Sequence, residues 1–324
     1  MKVKLHGVRG SLPAPHSPET IKARLRKTLA DFVAAGKSGA GDIDAFLESR
    51  PTQDLGGFGG NTVCVEIAEG AESLIIDAGS GIRRLGEALM AGPCRNGQGE
   101  IDILFTHFHW DHLIGLPFFV PIFVPGIKVR MHAVQPDFEA NIRQLFKRPL
   151  FPVAFEDLRS TISFHRLEER KPTLIKGFQV TPYKLDHPDP CWGFRVERSG
   201  KTYSHCVDTE GTRVSRTDLG PDLPLYQNVD LMFFDAQYTL LEAVEKMNWG
   251  HSAAPIGLNI ALRENVKQII FAHHDPGASD EKIADAEEQT REYLEVFRDN
   301  AKTAGRTVPE LKWQFAREGD VIDV

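Results

Sequence analysis

A short apolar run, Ile101-Asp102-Ile103-Leu104-Phe105, leads directly into His107, His109, Asp111 and His112, spaced H-x-H-x-D-H. The run reads as a buried strand. Side chains alternate along a strand, so His107 and His109 can point the same way where the strand gives out into a loop. Asp111 and His112 follow on the turn and can face a second, neighbouring point. Imidazole and carboxylate together suit Zn²⁺, Mn²⁺ or Fe²⁺. Four ligand-type side chains in six residues exceed what one tetrahedral ion with an open position uses, so the spacing favours two adjacent ions. A merely solvated loop would not need Phe105, Trp110 and Leu113 around its histidines.

With 324 residues the chain can form one large domain or two small ones. The net charge of −7 gives no broad attraction for nucleic acid, although a local basic patch can still hold a phosphate. The start, MKVKLHGVRGS, has no apolar signal region, and no run of 18 apolar residues occurs. A soluble protein without a membrane span is expected. Four cysteines, Cys64, Cys94, Cys191 and Cys206, lie scattered without a C-x-x-C, which suits a reducing cytoplasm better than a disulfide framework.

Val3 to Val8 reads as a first strand, running into Arg9-Gly10-Ser11. Ser17-Pro18-Glu19 can cap and begin a helix, after which Ile21, Leu25, Leu29, Phe32 and Val33 recur at helical spacing. Asp42 to Ser49 suggests a second, short helix. The segment from about 18 to 50 is read as a helical insertion, with covering the active site, forming a dimer contact and decorating the surface all open as roles. Gly56-Gly57-Phe58-Gly59-Gly60-Asn61-Thr62 allows tight turns and close backbone approach, but no Lys follows to make a phosphate loop. Strands Val63–Ile67 and Ser73–Ile76 follow, and Asp77 ends the second. Its preferred role is to brace the histidine loop by hydrogen bonds rather than to ligate metal.

HFHWDH resembles the H-x-H-x-D-H signature of the metallo-β-lactamase superfamily. GVRGS, GGNT and LIIDAGSGIRRLG precede it in the order found in the branch of tRNase Z-like and cyclic-nucleotide phosphodiesterase-like proteins. The resemblance covers nearly the whole chain apart from the insertion. It implies an α/β (α+β) fold: one domain over 1–324, an αββα sandwich of two mixed sheets with flanking helices and metals at one sheet edge.

The same resemblance guides the downstream reading. His187 precedes a Gly-Phe-Arg strand, as the third-motif ligand does, and Asp208 at the end of a strand matches the bridging carboxylate. Asp235 matches a position that partners a later histidine, here His251 in WGHSAA, where Ala253 replaces the usual Thr. Ser252 can cap the helix that follows. In His273-His274-Asp275-Pro276 one histidine completes the second site; strand alignment favours His273, and a one-residue slip leaves His274 open. Residues 280–302 read as a long amphipathic helix and Leu311–Phe315 as the final strand.

The implied ligand sets are His107, His109 and His187 for one ion and Asp111, His112 and His273 for the other, with Asp208 between. Asp111, Asp235 and His251 are the candidate catalytic groups. The implied activity is attack by a metal-bridging hydroxide on a small phosphodiester, such as a 3′,5′-cyclic nucleotide. The implied cofactors are two divalent ions, Zn or Mn, and the implied assembly is a homodimer. The alternatives are a tRNA 3′-end endonuclease, weighed against by the acidic balance and the lack of a long basic or Gly/Pro-rich arm, and a lactone or thioester hydrolase. Flavodiiron chemistry fits less well, because its pattern carries Glu where this chain has His109.

Overall fold

The computed structural model describes residues 1–324. Six strands of the first half, β1 (Lys2–Gly7), β2 (Cys64–Glu69), β3 (Glu72–Ile76), β4 (Glu100–Leu104), β5 (Lys128–Ala133) and β6 (Thr161–Arg166), lie side by side in chain order. Seven more, β7 (Thr173–Ile175), β8 (Phe178–Lys184), β9 (Trp192–Arg198), β10 (Lys201–Cys206), β11 (Leu231–Asp235), β12 (Gln268–Ala272) and β13 (Lys312–Phe315), form a second sheet, also in chain order. A last strand, β14 (Val321–Asp323), returns to flank β1. Leu311–Phe315 is therefore not the final strand. A three-residue strand that buries only Ile322 carries too little pattern to be read from sequence.

The eight helices are α1 (Pro18–Ala34), α2 (Ile43–Glu48), α3 (Ile82–Leu89), α4 (Phe138–Gln144), α5 (Arg216–Leu219), α6 (Leu240–Glu245), α7 (Ala254–Arg263) and α8 (Asp280–Thr303). Strand alternation explains the layering. In β11, Leu231 and Phe233 enter the core between the sheets, while Met232 and Phe234 pack on the outer side with residues of α7 and α8. In β3 and β4, Ile76 and Leu104 face the inter-sheet core, and Ile75 and Ile103 face a third cluster with Ile82 and Leu85 of α3 and Ile142 of α4. Both faces of both sheets are thus covered, as continuous apolar strands require. The result is the αββα sandwich of two mixed sheets that the resemblance implies.

Strands β3 to β6 run parallel to one another, as do β10 to β13. The carboxyl ends of a parallel set point the same way, so the turns after β3, β4, β10, β11 and β12 carry the site residues at strand ends. Three of those turns place a non-glycine residue in the left-handed region: Asp77 at φ 61°, Asp208 at φ 63° and His273 at φ 67°. That conformation costs about 1 kcal/mol or more per residue.

Helix α1 begins as its residues suggest, with the Ser17 hydroxyl accepting from the Thr20 N–H at 3.1 Å and Pro18 in the first turn. Most of its apolar stripe stays in solvent: Ile21, Leu25, Leu29 and Val33 are exposed, while Phe32 is half-buried and packs edge-on against Phe46 of α2. Polar contacts attach α1, chiefly Arg24 to Asp280 and Lys27 to Asp54. No helix is long and apolar enough to cross a membrane.

One polar group is built into the sheet interior. Asp102 accepts from Arg130 Nε at 2.8 Å and Nη2 at 2.7 Å, and lies 2.8 Å from His132 Nε2. Arg130 stands opposite Asp102 in the β4–β5 register. Burial alone would raise the Asp102 pKa, but His132 and Arg130 outweigh it and hold the group below its usual range. A depressed folded-state pKa stabilises the fold above the unfolded value of about 3.9, and that stability is lost as pH falls through the folded value. Asp102→Asn is expected to cost about 3 kcal/mol at pH 7. Urea unfolding should show the gap between variant and parent narrowing below pH 4.

Candidate metal centre

The loop after β4 is held by the neighbouring strand end. Asp77 accepts from the Thr106 N–H at 2.9 Å through one oxygen and from the Thr106 hydroxyl at 2.8 Å through the other, which also lies 2.7 Å from His112 Nδ1. It braces the histidine loop and leaves His112 Nε2 facing the cluster, 3.3 Å from Asp111 and 3.0 Å from Asp208. Nδ1 of His107 lies 3.1 Å from the Thr106 hydroxyl, which turns its Nε2 inward as well.

His107, His109 and His187 come together as three rings with centroids 4.4 to 4.9 Å apart. His109 pairs through Nε2 with Asp189 at 2.8 Å, so Nδ1 is the nitrogen left for an ion. His187 has Nδ1 3.0 Å from the Asp189 carbonyl, which leaves its Nε2. Asp111, His112 and His273 form a second group, with His273 Nε2 3.1 Å from Asp111. Asp208 stands between the two groups, 4.0 Å from His107, 3.0 Å from His112 and 3.4 Å from His273. His251 lies alongside, its Nδ1 3.0 Å from Asp235 and 3.7 Å from Asp208. Asp235 is fixed by three backbone N–H donors, from Asp208, Gln237 and Ser252.

Other histidines lie outside the cluster. His274 Nε2 bonds the Ala316 carbonyl at 2.9 Å, its ring stacks on Phe315, and burial pushes its pKa down to about 3. His205, inside β10, takes a hydrogen-bonding contact from the Tyr203 hydroxyl at 2.9 Å and stacks on Phe233. Glu210 accepts from the Gly250 N–H. Ser252 does not cap α7: Ala253 holds that position without a side-chain bond. The Ser252 N–H is drawn to Asp235 instead, and its buried hydroxyl has no partner.

Several contributors were not legible in advance. The Ser11 N–H donates to Asp111 at 2.7 Å, and a Cβ on Gly10 would fall 2.5 Å from the His273 ring. A Cβ on Gly250, at φ 86°, would fall 2.3 Å from His187. These two contacts explain the glycines of GVRGS and WGHS. Arg9 is buried and donates to the carbonyls of Gly59, Asp275 and Ala278 and to Asp280, tying the glycine loop to the turn after His273.

The electrostatics ask for positive charge. Burial opposes a charge on Asp111 and Asp208, yet both are held well below the carboxylate range, Asp111 chiefly by His112 and Asp208 chiefly by His273. Burial likewise opposes protonation of His112, but Asp208, Asp111 and Asp77 push it well above the imidazole range. His273 is pushed up to about 9 against the effect of burial, mainly by Asp208. Protons on imidazoles and divalent cations meet the same demand from buried carboxylates. The buried Nε2 atoms of His107 and His112 and Oδ2 of Asp208 make no well-directed hydrogen bond, although His112 Nε2 and Asp208 Oδ2 lie 3.0 Å apart. Such orphaned lone pairs, all of metal-ligating type, fit bound cations.

A family model described as a beta-lactamase superfamily domain matches residues 73–274. Ribonuclease Z of Bacteroides thetaiotaomicron is 23% identical over 56% of this chain and 71% of its own length. Ribonuclease Z proteins of Staphylococcus carnosus and Ligilactobacillus salivarius are 26% and 32% identical over 42% and 38% of this chain; the matches span 44% and 38% of those relatives. Among solved structures, unliganded yeast PDE1 superposes with a TM-score of 0.61 at 13% identity, covering 100% of this chain and 99% of the other. The short form of human tRNase Z superposes with a TM-score of 0.57 at 16% identity, with the same coverage.

The bracing by Asp77 can be measured directly. Asp77→Asn is expected to weaken metal affinity about 10- to 100-fold, read by competition with a chelating dye. His273→Ala should lower the bound-metal content, whereas His274→Ala should lower thermal stability and leave the metal content as it is.

Proposed function

Because the chain belongs to the metallo-β-lactamase superfamily, and so to its metal-dependent hydrolases, we propose that it is a phosphodiesterase acting on a small phosphodiester such as a 3′,5′-cyclic nucleotide. In this reading His107, His109 and His187 hold one divalent ion, Asp111, His112 and His273 hold a second, and Asp208 serves both. Zinc or manganese, when bound, supplies a water of lowered pKa and positive charge against the phosphoryl oxygens.

The carrying observation is the His251–Asp235 pair beside Asp208. Asp235 holds Nδ1 of the ring, which leaves Nε2 to donate to a phosphoryl or leaving oxygen. Its three backbone donors fix its orientation, so the imidazole is positioned before substrate arrives. Asp111, anchored through one oxygen by Ser11, has its other oxygen free to orient the attacking water. A donor of this kind suits the charge of phosphate better than an acyl substrate requires.

A second reading, tRNA 3′-end processing, is favoured by the Ribonuclease Z relatives. Both readings break a phosphodiester, and the metal cluster serves either. The net charge of −7 favours the small ester.

Purified protein of measured metal content should open a cyclic nucleotide in the presence of Mn²⁺ or Zn²⁺ and lose that activity with a chelator. His251→Ala is expected to lower kcat by about 10²- to 10³-fold with metal content retained. His109→Ala should lose metal and rate together. Cleavage of a precursor tRNA with no turnover of any cyclic nucleotide would replace the first reading by the second.

A further inference from the structure

Phe108 and Trp110 bracket His109 in the chain, and both line a cavity of about 410 Å³ that the metal chemistry does not use. Its size lies in the range of small-molecule sites. Phe118 and Phe151 supply two more aromatic walls, and Asn141 and Gln144 of α4 complete the lining on one side. We propose that this cavity receives the base of the substrate, a neutral planar heteroaromatic ring attached to the phosphodiester. The inference rests on the phosphodiesterase reading and deepens it.

Four features favour such an occupant. No charged side chain lines the cavity, so it does not suit a phosphate or a carboxylate. Trp110 and Phe118 remain 67% and 58% exposed, leaving large aromatic surfaces in water that a stacked ring would cover. Asn141 and Gln144 stand three residues apart on one helix face, and each carboxamide offers donors and an acceptor. A plain alkyl chain would cover those groups without bonding them, whereas the edge of a nucleobase can satisfy them. Finally, two of its lining residues, Phe108 and Trp110, flank His109, itself 45% exposed, so the cavity wall and the histidine cluster share one short stretch of chain. Another cavity, of about 390 Å³, is lined by Glu72, Glu100, Asp102 and Lys176 near the starts of β3 and β4, at the opposite end of the strands from the histidines.

The base has two sources, a mononucleotide or the residue next to the scissile bond of an RNA. The test uses the full-length, metal-loaded protein and four substrates: a 3′,5′-cyclic nucleotide, its abasic ribose counterpart, and precursor RNAs with a natural or an abasic residue at the cleavage site. The readout is the ratio of kcat/KM between each natural substrate and its abasic partner. Phe118→Ala is expected to lower that ratio about tenfold, since stacking of one base is worth about 1–3 kcal/mol. Asn141→Ala should alter the order of preference among bases. A drop confined to the cyclic pair assigns the base to a mononucleotide, and a drop confined to the RNA pair assigns it to RNA.

A separate measurement keeps the two readings apart. Free nucleoside, which has no phosphate, should quench tryptophan fluorescence in the parent and not in Trp110→Leu. If esters are turned over but Phe118→Ala leaves the ratio at the parent value, the cavity proposal fails and the phosphodiesterase reading stands. If no phosphodiester is turned over while the Trp110-dependent quench is seen, the phosphodiesterase reading fails and the cavity binds bases. Absence of both turnover and quench overturns the cavity proposal as well.

Discussion

Asp77, Asp208 and Asp235 are taken out of water at the ends of three strands, and much of the surrounding structure answers the cost of that burial. Asp77 is met by Thr106 and His112, Asp235 by three backbone N–H groups and His251, and Asp208 by His107 and His112 of one loop and by His273 of another. Such an arrangement requires strands that end together. The two parallel sets provide this: each carries its loops at one end, and stacking the sheets brings residues 107–112 against residues 208, 235 and 273. The inter-sheet core of Val65, Ile76, Phe194, Phe233 and Ile270 therefore acts on the chemistry as well as on stability, because a shift between sheets would pull Asp208 away from His112.

The parts legible in the sequence are those with local causes. The strands of β11 and β12 read clearly because Leu-Met-Phe-Phe and Ile-Ile-Phe-Ala are buried on both faces. H-x-H-x-D-H is visible because six consecutive residues supply four of the ligand-type groups. The choice between His273 and His274 was not local. Both residues follow the end of β12, where His273 takes a left-handed backbone, and only the assembled fold shows that His274 turns to Ala316 and Phe315 while His273 meets Asp111.

Other features had no local signal at all. Asp189 reaches His109 across 80 residues, and the Ser11 amide reaches Asp111 across 100. A backbone N–H donor has no residue type to betray it. Ser252 misled for the opposite reason: its side chain is typical of a helix cap, yet its backbone was needed by Asp235. The left-handed backbone at Asp77, Asp208 and His273 follows the same logic. Glycine would relieve the strain, but then no side chain would reach the cluster, so ligand-type residues sit where conformation alone would disfavour them.

The centre itself does not separate a small phosphodiester from the end of an RNA, because metals, His251 and Asp111 would meet the same P–O bond in both. Discrimination must come from surfaces around it, and the net charge of −7, which disfavours a long polyanion as a whole, acts close to the site only through nearby groups. Fields of exposed charges are screened beyond about 8 Å at physiological salt. Lys147 and Arg148, exposed and next in the chain to Leu150 and Phe151 of the aromatic cavity, can therefore meet an anion locally whatever the sign of the whole molecule. Two cations suffice for a mononucleotide, but gripping several RNA phosphates takes a longer basic track, since each neutralised phosphate adds its own counterion-release term. On the phosphodiesterase reading, substrate size would be set by how far positive charge extends from the cavity, and not by the residues of the His/Asp cluster.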